Sequence, residues 1–424
     1  MRSPRFLYLT ALVSAAIGWL LFPFAALARD WIVSPKAGDF ATLRAALNAA
    51  QAGDRILIRA GLYQEGPLLV KRPIVLQGEG WPVIDGEKRE EMLRIESDGV
   101  RVSGIVFQNS GQSYSIDIAA VKLLKGKNCQ IAGNRFLDNF FAIYCASAVD
   151  CVIEDNEILG HAVSEGGSGN GIHLWSCQRM TIRGNHVRGH RDGLYFEFVT
   201  DSLAEGNQSI GNLRYGLHFM FSKNNVYRNN LFEGNGAGVA VMFSKEILIE
   251  GNLFRNNWGP TSYGLLLKSI DDSVIRHNLF VRDTTAIRFD EANRNRIEEN
   301  DFVANGKAFE LFSDSSDNVI EGNNLQENVF EATSNSLTAV PARFSHNYWS
   351  SYRGFDLNRD GIGDVPYRPV RLFASLIETT PCISLLIGSL FQETLDFVED
   401  LFPTLIPAML VDPEPSMTRI PWSK

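Results

Sequence analysis

The stretch YGLHFMFSKNNVYRNNLFEGNGAGVAVMFS, Tyr215 to Ser244, says nearly the same thing twice. YGLHFMFS returns as AGVAVMFS, so Met220 falls on Met242, and Asn230 falls on Asn252 at the same spacing of 22 residues. A short unit that restarts at fixed length is the signature of stacked coils.

Working outward, asparagine followed two residues later by an apolar residue recurs at 134, 156, 185, 207, 230, 252, 278, 300, 323 and 347. The steps are 22, 29, 22, 23, 22, 26, 22, 23 and 24. Isoleucine stands three before most of these asparagines, at 131, 153, 182, 249, 275, 297 and 320. The two long steps hold insertions, Ser164–Asn170 (SEGGSGN) and Trp258–Tyr263. Each unit has room for about three short strands and shows no helical periodicity, which predicts an all-β fold, a right-handed parallel β-helix. The asparagines form a hydrogen-bonded ladder at tight turns. A second column five residues later, Asn139, His161, His190, Asn212, Asn235, Asn257, Asp283, Asn305 and Asn328, predicts another, with His161 and His190 as structural members.

Strands alternate their side chains, so the period also sorts the faces. Thirteen and eleven residues before the ladder asparagine the chain is apolar, as at Leu217, Phe219, Val239 and Val241, and these point inward. The positions between them point outward: His173, Tyr195, His218, Ala240, Leu266 and Arg288 in one column, Trp175, Glu197, Met220, Met242, Lys268 and Asp290 in the next. With coils about 4.8 Å apart, Met220 and Met242 are neighbours, and His218 faces the same way. Two thioethers and an imidazole suit Cu(I) and discriminate against hard cations; the alternative is that both methionines are surface residues covered by a loop or partner. Lys268 and Asp290 read as a cross-strand ion pair. Cys129 and Cys151 stack on consecutive coils, as a disulfide or as reduced thiols.

The 424 residues include 45% hydrophobic and 21% charged residues, enough for a large core, and the formal net charge of −9 excludes a nucleic-acid partner that needs a basic stripe. Arg2 and Arg5 precede an apolar run from Phe6 to Phe24 and the small-residue site Ala26-Leu27-Ala28. Residues 1–28 thus read as a signal peptide, with an uncleaved anchor as the alternative. Five cysteines without a CxxC are too few for a disulfide scaffold. Residues 29–370 then form the β-helix, opened by a capping helix within Asp39–Gln51, and residues 371–424 a helical tail.

Near the end of the body, Asp356, Asn358, Asp360 and Asp364 stand at positions 1, 3, 5 and 9 of a calcium-type loop, but Tyr367 replaces the acid at position 12. The choice is a calcium site or a loop closed by Asx turns. In the tail, Thr380 and Pro381 predict the start of one helix from Cys382 to about Leu401, ended by Pro403. Its apolar residues alternate with Glu393, Asp396, Glu399 and Asp400, so it is amphipathic and a poor membrane span. The segment Leu372–Leu410 reads as a docking arm for a partner or as a cap on the last coil.

The doubled MFS phrase, NGIHLW (Asn170–Trp175), NNWGP with YGLLLK (Asn256–Lys268) and NYWSSYRGFDLNRDGIGDVPYRP (Asn347–Pro369) together resemble the NosD family of periplasmic maturation proteins for nitrous-oxide reductase. The resemblance covers nearly the whole chain. It implies a periplasmic protein held at the inner membrane by an ABC transporter, a permease plus a cytoplasmic ATPase, that receives copper from a lipoprotein chaperone and serves assembly of the reductase in denitrification. That role is non-catalytic. The competing class is a polysaccharide lyase, hydrolase or epimerase, for which Asp290, Lys268 and Arg288 are the only assembled candidates and which lacks a DPHD-like cluster. A metal-free docking scaffold shares every feature of the first reading except metal affinity.

Overall fold

Three short strands per unit, separated by corner residues in left-handed backbone, cannot pair with their neighbours in sequence, so each pairs with its equivalent one coil on. Asn229 and Asp138 hold such corners at φ 55° and 54°, a conformation their short polar side chains tolerate. The computed structural model, which describes residues 28–113, 115–335, 341–402 and 409–421, is accordingly a parallel β-helix of three sheets with 14, 13 and 12 strands. The segment 1–27, carrying nearly all of the expected signal peptide, lies outside the described residues. Among the described residues no helix is long and apolar enough to cross a membrane.

The isoleucine column is the spine of the 14-strand sheet. Ile131, Ile153 and Ile182 are in register, as are Ile249, Ile275, Ile297 and Ile320. Between these runs stand Ala204 and Tyr227. A small residue beside a large one conserves volume, and the Tyr227 ring fills the space by stacking on Phe219, centroids 4.5 Å apart. Phe232, Phe254, Phe280 and Phe302 make a second internal stack, with centroids 5.4, 4.5 and 5.0 Å apart.

The asparagine ladder forms as expected. Asn207 donates its backbone N–H and its Nδ2 to Asn230 Oδ1, at 2.9 and 3.0 Å, and Asn230 repeats this to Asn252 at 2.9 and 3.0 Å. A buried amide at each tight turn thereby keeps its partners. The second column departs from expectation at the histidines. His161 is turned out to solvent and pairs with Asp138, and His190 is buried with no partner at Nε2, although its backbone N–H still donates to Asn212 Oδ1 at 3.0 Å. An imidazole is too large to bridge one coil spacing as the Asn carboxamide does, and the first insertion enters here. All five cysteines are free thiols; the Cys129 N–H donates to Cys151 Sγ at 3.3 Å, so this pair serves a minor ladder.

Both ends are closed. Helix α1, Leu43–Ala49, is capped by Thr42 and buries Leu43 and Ala46 against the first coil. The single tail helix expected over Cys382–Leu401 is instead broken. Helix α2 spans Leu372–Thr379, a 3-10 segment spans Pro381–Leu386, and helix α3 spans Leu390–Leu401. Gly388 in left-handed backbone and Ser389, whose hydroxyl accepts from Gln392 N–H, supply a stop and a fresh start. Pro403 lies outside the described residues. Phe373 of α2 packs on Phe330 of the last coil, and beyond the helices the chain returns to the body. There Asp412 Oδ2 accepts from the last ladder residue, Asn347, at N and Nδ2 (3.2 and 3.1 Å) and from Trp349 Nε1 at 2.9 Å. The tail is therefore part cap and part exposed helix.

Candidate metal centre

The 12-strand sheet presents the outward columns. Met220 ends the strand Tyr215–Met220 and pairs in register with Met242 of the strand Ala237–Lys245. Leu217, Phe219, Val239 and Val241 belong to the interior cluster; His218, Met220 and Met242 do not, which places them on the opposite face. The structure thus brings the two sulfurs onto adjacent coils, with His218 one alternate position away along the strand.

The face is more covered than the alternation suggests. Met220 and Met242 are half-buried, but His218 retains only 5% exposure. The Tyr195 and Tyr215 rings lie against its imidazole, each with its centroid at 4.9 Å. Beyond Tyr195 the column continues through His173 and Tyr144, at 4.6 and 4.8 Å. Burial, reinforced by Arg191, pushes His173 down to about 3 and so keeps it neutral.

One pair of residues in this site was not singled out from the sequence. Asp192, fully buried, receives Arg214 Nε at 2.9 Å and Nη2 at 2.5 Å, and its Oδ2 lies 3.9 Å from His218 Nδ1. Burial opposes the charge on Asp192, but the nearby His218 imidazole and the hydrogen-bonded Arg214 guanidinium outweigh that and hold the carboxyl below the usual range. Register was the available signal, because Asp192, Tyr215 and Ala237 are direct partners on three successive coils. With Nδ1 facing this buried ion pair, His218 Nε2 is left buried and without a partner. A buried imidazole nitrogen with nothing to bond to is costly unless a ligand supplies the partner.

These donors fit a soft monovalent metal. The Tyr195 hydroxyl caps the Met220 sulfur at 3.7 Å. Among the described residues no group of three or more His, Cys, Asp or Glu side chains is placed to hold a metal ion, so any metal at this face depends on the thioethers. One coil further, Lys268 Nζ meets Asp290 Oδ2 at 3.1 Å as a cross-strand ion pair. Arg288 meets Glu310 at 3.4 Å.

The calcium-type loop is separate from this face and is closed by its own backbone. Asp356 accepts from the N–H groups of Arg359 and Gly361, at 2.6 and 2.9 Å, Asp360 from Ile362 at 2.9 Å, Asn358 from Asp360 at 3.1 Å, and Asp364 from Leu357 at 2.6 Å. The bonds from Ile362 to Asp360 and from Asp360 to Asn358 are Asx turns, and the others close the loop over three to seven residues.

Comparison with known proteins places the fold and the site in context. The model of a family described as periplasmic copper-binding protein, NosD, matches residues 160–354, which include both methionines and His218. A protein of Stutzerimonas stutzeri named as a probable ABC transporter binding protein NosD is 31% identical over 393 residues, 88% of each chain. One of the same name from Pseudomonas aeruginosa is 31% identical over 422 residues, covering 88% of this chain and 90% of that one. Among solved structures, the catalytic unit of a thermostable alpha-1,3-glucanase from Streptomyces thermodiastaticus superposes with a TM-score of 0.58 over 78% of this chain and 67% of its own. At 15% identity that likeness speaks for the fold alone.

Proposed function

Because this chain belongs to the NosD family of periplasmic copper-binding proteins, we propose that it carries Cu(I) on Met220, Met242 and His218 and yields it for assembly of the copper centres of nitrous-oxide reductase. The observation that carries the reading is the registered pair Met220–Met242 beside an imidazole whose buried Nε2 has no partner. Thioethers bind Cu(I) without losing protons. A site of two thioethers on half-buried methionines and one imidazole can gain and lose its ion by stepwise ligand exchange with a donor protein, for which the family resemblance implies a copper-chaperone lipoprotein.

The relatives' name motivates the second half of the reading: this chain docks on an ABC transporter permease through its tail and stays at the periplasmic face of the inner membrane. Leu385, Leu390, Phe397 and Leu401 are exposed by 88, 77, 63 and 57%, an apolar surface that single scattered residues do not explain. The chain works without catalysis of its own; Lys268 and Asp290, the candidate acid–base pair, neutralise one another.

Titration of the mature protein with Cu(I) against a competing chelator tests the first half. Met220→Ala/Met242→Ala is expected to weaken binding by at least about a hundredfold at unchanged melting temperature; equal affinity in that variant removes the site and leaves the metal-free scaffold. For the second half, Leu390→Ser/Phe397→Ser should abolish co-purification with the permease and leave copper affinity intact.

A further inference from the structure

Copper on two thioethers and an imidazole keeps its full positive charge, and one neighbouring residue is placed to offset it. Glu197 is the direct cross-strand partner of Met220, in the same outward column as Met242. Its carboxylate Oε2 lies 3.4 Å from the Tyr195 hydroxyl, whose single proton is shared with Met220 Sδ at 3.7 Å, so one hydroxyl stands between the carboxylate and the sulfur. Among the described residues Glu197 forms no ion pair, unlike Asp192 with Arg214, Asp290 with Lys268 and Glu310 with Arg288. It is a carboxylate of this face left without a cation.

We infer that Glu197 is the charge-compensating residue of the metal site, held beside Met220 by the Tyr195 hydroxyl, and that it sets the site's preference for a soft monovalent cation over a neutral ligand. The inference rests on the copper reading above. A carboxylate within a few ångströms of a monovalent ion at a half-buried surface changes affinity by about tenfold or more, and the effect is partly screened by salt. It acts by field and position, so Glu197 is a positioning residue and the donors remain Met220, Met242 and His218.

The test compares Cu(I) affinity of the mature wild-type protein, Glu197→Gln, Glu197→Asp and Met220→Ala/Met242→Ala at low and high ionic strength, with melting temperature as the folding control. Glu197→Gln is expected to bind about tenfold more weakly at low salt, with the gap narrowing as salt rises, and Glu197→Asp to recover most of the loss. A merely structural role would not produce that salt dependence. If the methionine variant loses copper while Glu197→Gln matches wild type at both salts, the inference is overturned and the copper site stands. Should wild type and the methionine variant bind alike, the copper reading itself fails. Were Glu197→Gln to fold poorly, Tyr195→Phe takes its place, since releasing the carboxylate from Met220 must also weaken binding; no change there counts against the proposal.

Discussion

Two neighbouring regions of one sheet, built on the same register, present opposite chemistry. Across the coils of Tyr195, His218 and Ala240 the outward face is aromatic and soft, ending in Met220 and Met242, and apart from the unpaired Glu197 its charges are gathered in the Asp192–Arg214 pair behind it. Across the next coils the same two columns hold Lys268 against Asp290 and Arg288 against Glu310, and Lys307, from the start of the same strand as Glu310, meets that carboxylate too. The backbone does not differ between them, because Met242 and Lys268 are direct partners in one ladder. A parallel β-helix therefore fixes where side chains stand and leaves what they do to each coil. In the ion-paired coils each charge has its counter-ion, although Arg288 Nε is buried without a partner; the methionine coils hold a sulfur pair, of which Met220 is reached by the Tyr195 hydroxyl, and leave the His218 Nε2 without one.

The sharpest way to break that contrast is to move the second region's chemistry one coil into the first. Met242→Lys removes a thioether and sets an ammonium beside Met220, one coil further from Asp290 than Lys268 stands. Cu(I) affinity is expected to fall by about a thousandfold, close to 4 kcal/mol, with little change in unfolding midpoint. Chelator competition measures the first and urea denaturation the second; retention of wild-type affinity would dissociate the metal from the methionine coils. Next in size comes the shared scaffold. Asn230→Ala leaves the N–H and Nδ2 of Asn207 and the Ala204 carbonyl without their partners, at a cost of about 3 kcal/mol, whereas Asn224→Ala, at an exposed left-handed corner with one hydrogen bond to Asp201, should cost about 1 kcal/mol. Equal costs at the two positions would mean that the ladder is not what holds the coils together.

The features legible in the sequence are those that repeat. The ladder asparagines, the isoleucine column and the outward placement of Met220 and Met242 all follow from one period and from side-chain alternation. What escaped it is non-periodic. Asp412 reaches the ladder from 65 residues beyond Asn347, and no repeat announces a single aspartate that ends a column of asparagines. The cover over His218 comes from the sizes of Tyr195 and Tyr215, which alternation does not weigh. Helix α2 has no side-chain cap at Arg371, so it left no starting signal. The break before α3 did leave one, in Gly388-Ser389 followed by Gln392, but Thr380-Pro381 upstream read as the stronger start.

The second ladder supplies the next test, because one of its members carries the wrong atom. Asp283 Oδ1 accepts from Asn257 N and Nδ2, both at 2.9 Å, while Oδ2 is buried with no partner. Asn305 uses the equivalent atom as a donor to the Phe280 carbonyl. Burial pushes the Asp283 carboxyl up to about 7, against the pull of Asn257. A folded-state value raised above the unfolded one means that the folded protein binds the extra proton between about pH 4 and pH 7, so stability falls as pH rises through that window and levels off above it. Asp283→Asn removes the titration. Its stabilising effect should grow by about 2 to 3 kcal/mol between pH 5 and pH 8, read from urea midpoints at the two pH values; a gain independent of pH would show that Asp283 does not titrate in that window.

The smallest expected effect lies in the ion-paired region itself. Lys268 and Asp290 are 37 and 19% exposed along their side chains, and a pair so placed is screened by water and holds two side chains in one geometry. A double-mutant cycle with Lys268→Ala and Asp290→Ala should return a coupling of about 0.5 kcal/mol. Neither single variant should alter Cu(I) affinity by more than about threefold: Asp290 lies three coils from Met220 and two from Met242, and Lys268, although beside Met242, has its charge answered by Asp290. A large loss of copper on Asp290→Ala would mean that the unpaired Lys268 repels the ion across one coil spacing, and the two regions would then be a single electrostatic unit in which the salt bridge keeps a cation away from the sulfurs.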